Sequence, residues 1–344
     1  MPQHGFSFDP THGYDLATLL AVTPPAEPPN FADFWRDLHA RARKVTVAPI
    51  LREIPSTQPR AQVFEVEFSS LDGFRIKGWL TRPRDAPVER GIVVGHGYGG
   101  RDGPDFHLPI AGAAMLFPCA RGISRSACAG IPANPDAHVL HGIDGRDTYV
   151  HGGCAADTVW CAASALLELF PMAARRLEYL GISFGGGLGA LALPWDERFH
   201  RAHLNVPSFG HHPLRLGMPC VGSGEAVRRR QQRTGRVLDT LCYFDAAVAA
   251  RHLHIPTHVA AARFDPAVPP PGQFAVYNAL AGPRELFVLR AGHFDHAGTA
   301  AEDRRLLDAL AYFFNHDRAT TGEWKQRPPH AARTCHSSFT PLSS

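Results

Sequence analysis

The 344-residue chain has a mass of 37.5 kDa and 44% hydrophobic residues, enough for one large core with decorations or for two small domains. Its 35 Lys and Arg against 32 Asp and Glu give a formal net charge of +3, a balance that calls for neither nucleic acid nor anionic lipid as partner. No apolar run reaches membrane-spanning length, and no basic stretch followed by an apolar one opens the chain, which predicts neither a membrane span nor a secretory signal.

The first 30 residues hold six prolines and no period, so they are expected to wrap or trail. Asn30 is placed to cap a helix with Phe31, Phe34, Trp35 and Leu38 on one face. Residues 63–68 and 74–80 alternate apolar and polar side chains around an Asp72-Gly73 turn, which predicts an antiparallel hairpin. Gly91-Ile92-Val93-Val94-Gly95 is apolar throughout, as in a central strand covered on both faces. Residues 111–118 read as a helix end and a second buried strand. A helix is predicted over 155–170, with Val159, Ala162, Ala163, Leu166 and Leu167 apolar and Pro171 as its stop.

Strands follow at 179–182 and 203–206. Residues 207–244 form an insertion with weak helical patterns, in which the basic run 228–233 reads as a solvated helix face. Two more strands are predicted over 257–262 and 285–289, with a helix over 272–280 between them. An amphipathic helix over 301–314 closes the domain. Strands alternating with helices argue an α/β fold with a mostly parallel central sheet. Residues 1–60 are an N-terminal extension and helix packing on the core. Residues 61–314 are the main domain, with a helical insertion at about 207–250. Residues 315–344, rich in Pro, Thr, Ser, His and Arg, are expected to be a disordered tail.

The segment from Tyr179 to Gly187 runs from an apolar strand through Gly-x-Ser-x-Gly into a helical pattern. That is the nucleophile elbow of an α/β-hydrolase, with Ser183 as the candidate nucleophile. Small neighbours are needed because strand and helix meet closely around a strained serine. A serine hydroxyl also needs a base, and the base needs a carboxylate to fix it. In this fold the chain order is serine, acid, histidine. Asp265 follows the strand 257–262, and His293 follows the strand 285–289. Strand ends are where parallel sheets gather functional loops. The plainer readings are a turn aspartate before Pro266 and one histidine among twenty. His296 is the alternative base. His293, Asp295 and His296 are too few to hold a metal without further ligands.

Gly95-His96-Gly97-Tyr98-Gly99-Gly100 follows the first central strand. Glycines there let backbone approach a substrate, so the N–H groups of Tyr98 and Phe184 are the candidate oxyanion donors. His96 reads as structural. The seven cysteines, an odd and widely spaced set without CxxC, read as reduced buried thiols and point to a cytoplasmic protein.

With these residues assembled, the chain resembles the acetyl xylan esterase and cephalosporin C deacetylase family, carbohydrate esterase family 7, over about 31–314. The carriers are Phe31-Ala32-Asp33-Phe34-Trp35, Ile76-Lys77-Gly78-Trp79-Leu80, His96-Gly97-Tyr98, Arg121-Gly122, Gly142-Ile143 with Asp147-Thr148-Tyr149, the Ser183 elbow, Tyr243-Phe244-Asp245, Val276-Tyr277-Asn278, Asp265 and His293. The resemblance implies an acetyl esterase without cofactor, acting on a small acylated substrate and assembling as a homo-oligomer, a dimer or a hexamer built from dimers. Three residues depart from the family pattern. Phe184 stands for the usual glutamine after the nucleophile, Ile123 for the glutamine of Arg-Gly-Gln, and Phe294 for the acidic residue after the histidine. The Phe184 and Tyr98 side chains are expected to shape the pocket toward a short acyl group. A peptidase on the same fold and a non-catalytic binding protein remain compatible with the residues.

Overall fold

Nine strands form one sheet among residues 3–316, which the computed structural model describes. They are β1 (Ile50–Ile54), β2 (Ala61–Ser69), β3 (Arg75–Pro83), β4 (Arg90–Gly95), β5 (Ala113–Pro118), β6 (Leu177–Ile182), β7 (Phe199–Asn205), β8 (Thr257–Ala262) and β9 (Arg284–Leu289). The order is β1-β2-β3-β5-β4-β6-β7-β8-β9. β1, β2, β3 and β5 pair antiparallel in turn, and the remaining pairs are parallel. The architecture is the α/β fold expected.

Why β4 is apolar from Gly91 to Gly95 is visible in its two faces. Val93 packs into one core with Trp160, Leu166 and Leu188. Ile92 and Val94 pack into the other with Leu306, Leu310, Phe313 and Phe314 from the closing helix Thr299–Asn315. A strand buried on both sides has no polar face to show. The chain leaves β4 toward β5 on one side, then returns past β4 to β6 on the other. Loops after β4 and β6 therefore diverge, which makes this the switch point of the sheet, where open α/β folds place their sites.

The hairpin turn places Asp72 and Gly73 at φ 62° and 76°, the left-handed pair such a turn needs. Other expectations need correction. Residues 50–54, read as part of the extension, form β1 at the sheet edge. Residues 96–112, between β4 and β5, hold no helix. Five glycines and two prolines there break any helical run. Asn30 precedes its helix Phe31–Arg43 in the left-handed conformation, φ 60°, and makes no side-chain cap. The long helical stretch starts at Val150 and changes register through a π-helical segment, Ala156–Cys161, before ending at Leu169.

The insertion contributes helices His212–Arg215, Ser223–Thr234 and Val237–Leu241. Its basic run is internally paired, Arg228 and Arg229 with Glu225 and Arg230 with Asp144. The expected tail boundary moves, because the closing helix runs through Asn315; the rest of that expectation lies outside the described residues. Among the described residues no helix is long and apolar enough to cross a membrane. The six cysteines within them are free thiols.

Candidate active site

β6 delivers Ser183 at φ 53° and ψ −110°, a strained conformation for a residue with a Cβ. Backbone contacts hold it there. Its N–H donates to Asn205 O at 2.8 Å, and its carbonyl accepts from Gly187 and Ser208. A Cβ on Gly181 would lie 2.6 Å from the Gly185 carbonyl carbon, and one on Gly185 2.6 Å from that of Gly95. Strand, helix and the loop after β4 thus meet at distances only glycine allows.

The predicted partners converge on that serine. His293 Nε2 lies 2.9 Å from Ser183 Oγ, and His293 Nδ1 lies 2.8 Å from Asp265 Oδ2. A carboxylate only accepts, so Nδ1 carries the proton and Nε2 is free to accept from the serine hydroxyl. Asp265 is fully buried, and its Oδ1 accepts from the Ala267 and Val268 N–H groups at 2.9 Å each. Gln273, from the helix Pro270–Ala279, donates to Asp265 Oδ2 at 2.8 Å. A Cβ on Gly292 would lie 2.5 Å from that same oxygen, so this glycine lets the histidine loop reach the acid. Burial pushes the His293 pKa down, but the Asp265 carboxylate outweighs it, and the pKa ends above its ordinary 6.5.

The alternative base is otherwise engaged. His296 Nδ1 accepts from Gly298 N–H at 3.0 Å, and its Nε2 faces Glu302 at 3.5 Å. Among the described residues no group of three or more His, Cys, Asp or Glu is arranged to hold a metal.

Phe184 opens the helix Phe184–Ala192, so its N–H has no partner four residues back, at the positive end of the helix dipole. Its ring is fully buried, 4.2 Å from that of Tyr98 and within 6.0 Å of His96, His151 and Phe209. The expected effect of this side chain on substrate fit is therefore corrected: the ring points into the core. Ile123, the second departure, is likewise a core residue, 3% exposed.

The Tyr98 hydroxyl is also committed. His138 Nε2 lies 3.0 Å from Arg121 O, which only accepts, so that nitrogen carries the proton and Nδ1 is an acceptor. Tyr98 O–H then donates to His138 Nδ1 at 3.0 Å, and His151 Nε2–H donates to the Tyr98 oxygen at 2.9 Å. His151 Nδ1 is left as a buried acceptor without a partner. Burial pushes both histidines below their ordinary pKa, which keeps the chain neutral. His96 ties the same loop down, accepting from Ala120 N–H at 3.0 Å through Nε2. Tyr98→Phe leaves the His138 Nδ1 acceptor buried and unpaired, and leaves His151 Nε2 only the longer contact to the Tyr149 hydroxyl at 3.4 Å. It is expected to cost about 1–3 kcal/mol in chemical denaturation. Unchanged stability would show that this relay does not exist.

Gln273, Ser208 (Oγ 3.5 Å from Ser183 Oγ), His138 and His151 were invisible in the sequence, since no local spacing marks them. A cleft of 220 Å³ lined by Asp33, Phe34, Arg41, Asp72, Arg146 and Tyr149 includes none of the relay residues.

A serine elbow after a central parallel strand, with acid and histidine after two later strands, defines an α/β-hydrolase. The chain belongs to the acetyl xylan esterase family: the family model "Acetyl xylan esterase (AXE1)" matches residues 22–308. Its fold is similar to that of acetyl xylan esterase from Paenibacillus sp. R4, with TM-score 0.73 and 23% identity over 86% of this chain and 99% of that one. It is similar to acetyl xylan esterase 1 from Thermoanaerobacterium sp. JW/SL YS485, with TM-score 0.74 and 20% identity over 88% and 99%. An acylaminoacyl peptidase from Pyrococcus horikoshii matches at TM-score 0.56 and 14% identity, over 79% of this chain and 42% of that one.

Proposed function

We propose that the protein is a serine carboxylic ester hydrolase that removes a short acyl group, acetyl in the first instance, from a sugar or other small alcohol. The unbroken contact path Ser183–His293–Asp265 carries this reading. Ser183 Oγ attacks the ester carbonyl while His293 Nε2 takes its proton. The carbonyl electron pair moves onto oxygen, where the Phe184 and Tyr98 N–H groups receive it. Collapse expels the alcohol, which takes the proton from His293. Water then attacks the acyl-enzyme by the same route and restores the serine.

Family membership, not the Phe184 ring, supports the short acyl group. Purified protein should hydrolyse acetyl, butyryl and octanoyl esters of one alcohol in falling order of kcat/KM. Pocket changes of a methylene or so are worth about 1–3 kcal/mol, so the fall should be graded. Faster octanoyl turnover overturns the acyl assignment, and a preference for peptide amides over all esters overturns the esterase reading. The reading includes a homo-oligomer, which sedimentation as a 37.5 kDa monomer would remove.

A further inference from the structure

Residues 3–21 lie ahead of the family match, which begins at residue 22, yet they reach the loops that carry Asp265 and His293. Asp9 opens a tight turn: its carboxylate accepts from the Thr11 N–H at 2.9 Å and hydroxyl at 2.7 Å, and its carbonyl accepts from His12 N–H at 2.9 Å. Pro10 and Thr11 are buried, and the Pro10 carbonyl accepts from the Asp265 N–H at 3.2 Å. Upstream, the His4 ring lies 5.3 Å from Phe264, and the Phe6 ring 5.9 Å from Phe294 in an edge contact. Phe264 and Phe294 lie 5.1 Å apart.

Those two phenylalanines are the chain neighbours of Asp265 and His293. Phe264 precedes the acid, and Phe294 follows the histidine. His293 sits at φ 47°, a conformation that a non-glycine residue holds only when its surroundings impose it. Phe294 also stands where the resembled family has an acidic residue. An acid there would gain nothing from an aromatic arm, whereas a phenylalanine packs on one.

We propose that segment 3–12 clamps the histidine loop onto the acid loop, with Phe6 as a positioning residue acting on His293 through Phe294. The proposal rests on the esterase reading above. Without the Phe6 ring, the His293 loop relaxes and the Asp265–His293 contact loosens. Small misplacements of a reacting group cost up to about 100-fold in rate.

The test is kcat, KM and the pH profile for an acetyl ester, on the full chain carrying Phe6→Ala, Phe6→Leu, Phe294→Ala or both alanines. Phe6→Ala is expected to lower kcat about 5- to 20-fold with little change in KM, the scale of a partial misplacement. The acid limb of the profile should move to lower pH, because His293 loses part of the carboxylate's support. Phe6→Leu should recover most of the rate. The double alanine variant should lose no more than the worse single one, because the two rings act through one contact. If Phe6→Ala folds poorly, the Phe6→Leu and Phe294→Ala profiles decide in its place. An unmoved acid limb, or losses that multiply, makes the arm a structural covering only and overturns the clamp. A wild-type protein that hydrolyses no ester overturns the esterase reading instead.

Discussion

Ser183→Ala is expected to remove essentially all ester hydrolysis, with kcat falling by about 10³- to 10⁶-fold, the range seen when a triad nucleophile is deleted. The reason is specific to one atom. Ser183 Oγ is the hydroxyl 2.9 Å from His293 Nε2, and alanine removes it while keeping the Cβ. The elbow itself should survive, because it is held by backbone bonds from Ser183 to Asn205, Gly187 and Ser208. The thermal midpoint should stay close to wild type. A serine-reactive phosphonate should add its mass to the wild-type chain and not to the variant. An equal adduct on the alanine variant would place the nucleophile elsewhere. Retained turnover at a tenth of wild type would do the same.

Much of the sheet was legible because burial on both faces forces continuous apolar runs, as in Ile92-Val93-Val94 of β4. β1 was not, because Ile50-Leu51-Arg52-Glu53-Ile54 lies at the sheet edge, mostly exposed, and shows no run of that kind. The π-helical segment Ala156–Cys161 hid for another reason. The hydrogen bonds there shift register, but every residue of the segment is buried, Asp157 and Thr158 included, so no change of exposed face marks the shift in the sequence.

In the site, Ser183, Asp265 and His293 were legible because each follows a strand and their order matches the fold. The structure brings all three together. What the sequence hid was support across long separations. Gln273 reaches back to Asp265 from the following helix, and His138 and His151 meet Tyr98 from 40 and 53 residues away. Phe184 shows the limit most clearly. Its position marks a backbone donor, but residue identity does not say which way a side chain points, and the ring turned inward.

His293→Ala should lower kcat/KM by about 10²- to 10⁴-fold, the usual worth of a positioned general base. His296→Ala should leave kcat/KM close to wild type and lower thermal stability, since His296 accepts from Gly298 N–H just ahead of the closing helix. The pH profile separates the two further. A general base works in its neutral form, and the His293 pKa is raised above 6.5 because Asp265 outweighs burial. Activity should therefore rise with pH through a midpoint above 6.5. The stability linkage runs the other way. A histidine whose folded pKa exceeds its unfolded one stabilises the fold most below the unfolded value, and that share fades as pH rises through the folded value. In that window the enzyme gains rate while losing this part of its stability. Asp265→Asn should remove the effect, leaving burial alone to push the His293 pKa down and costing about 10⁴-fold in kcat through the wrong tautomer. A wild-type midpoint at or below 6.5, or one that Asp265→Asn does not move, would mean that the activity is not governed by His293 paired with this carboxylate.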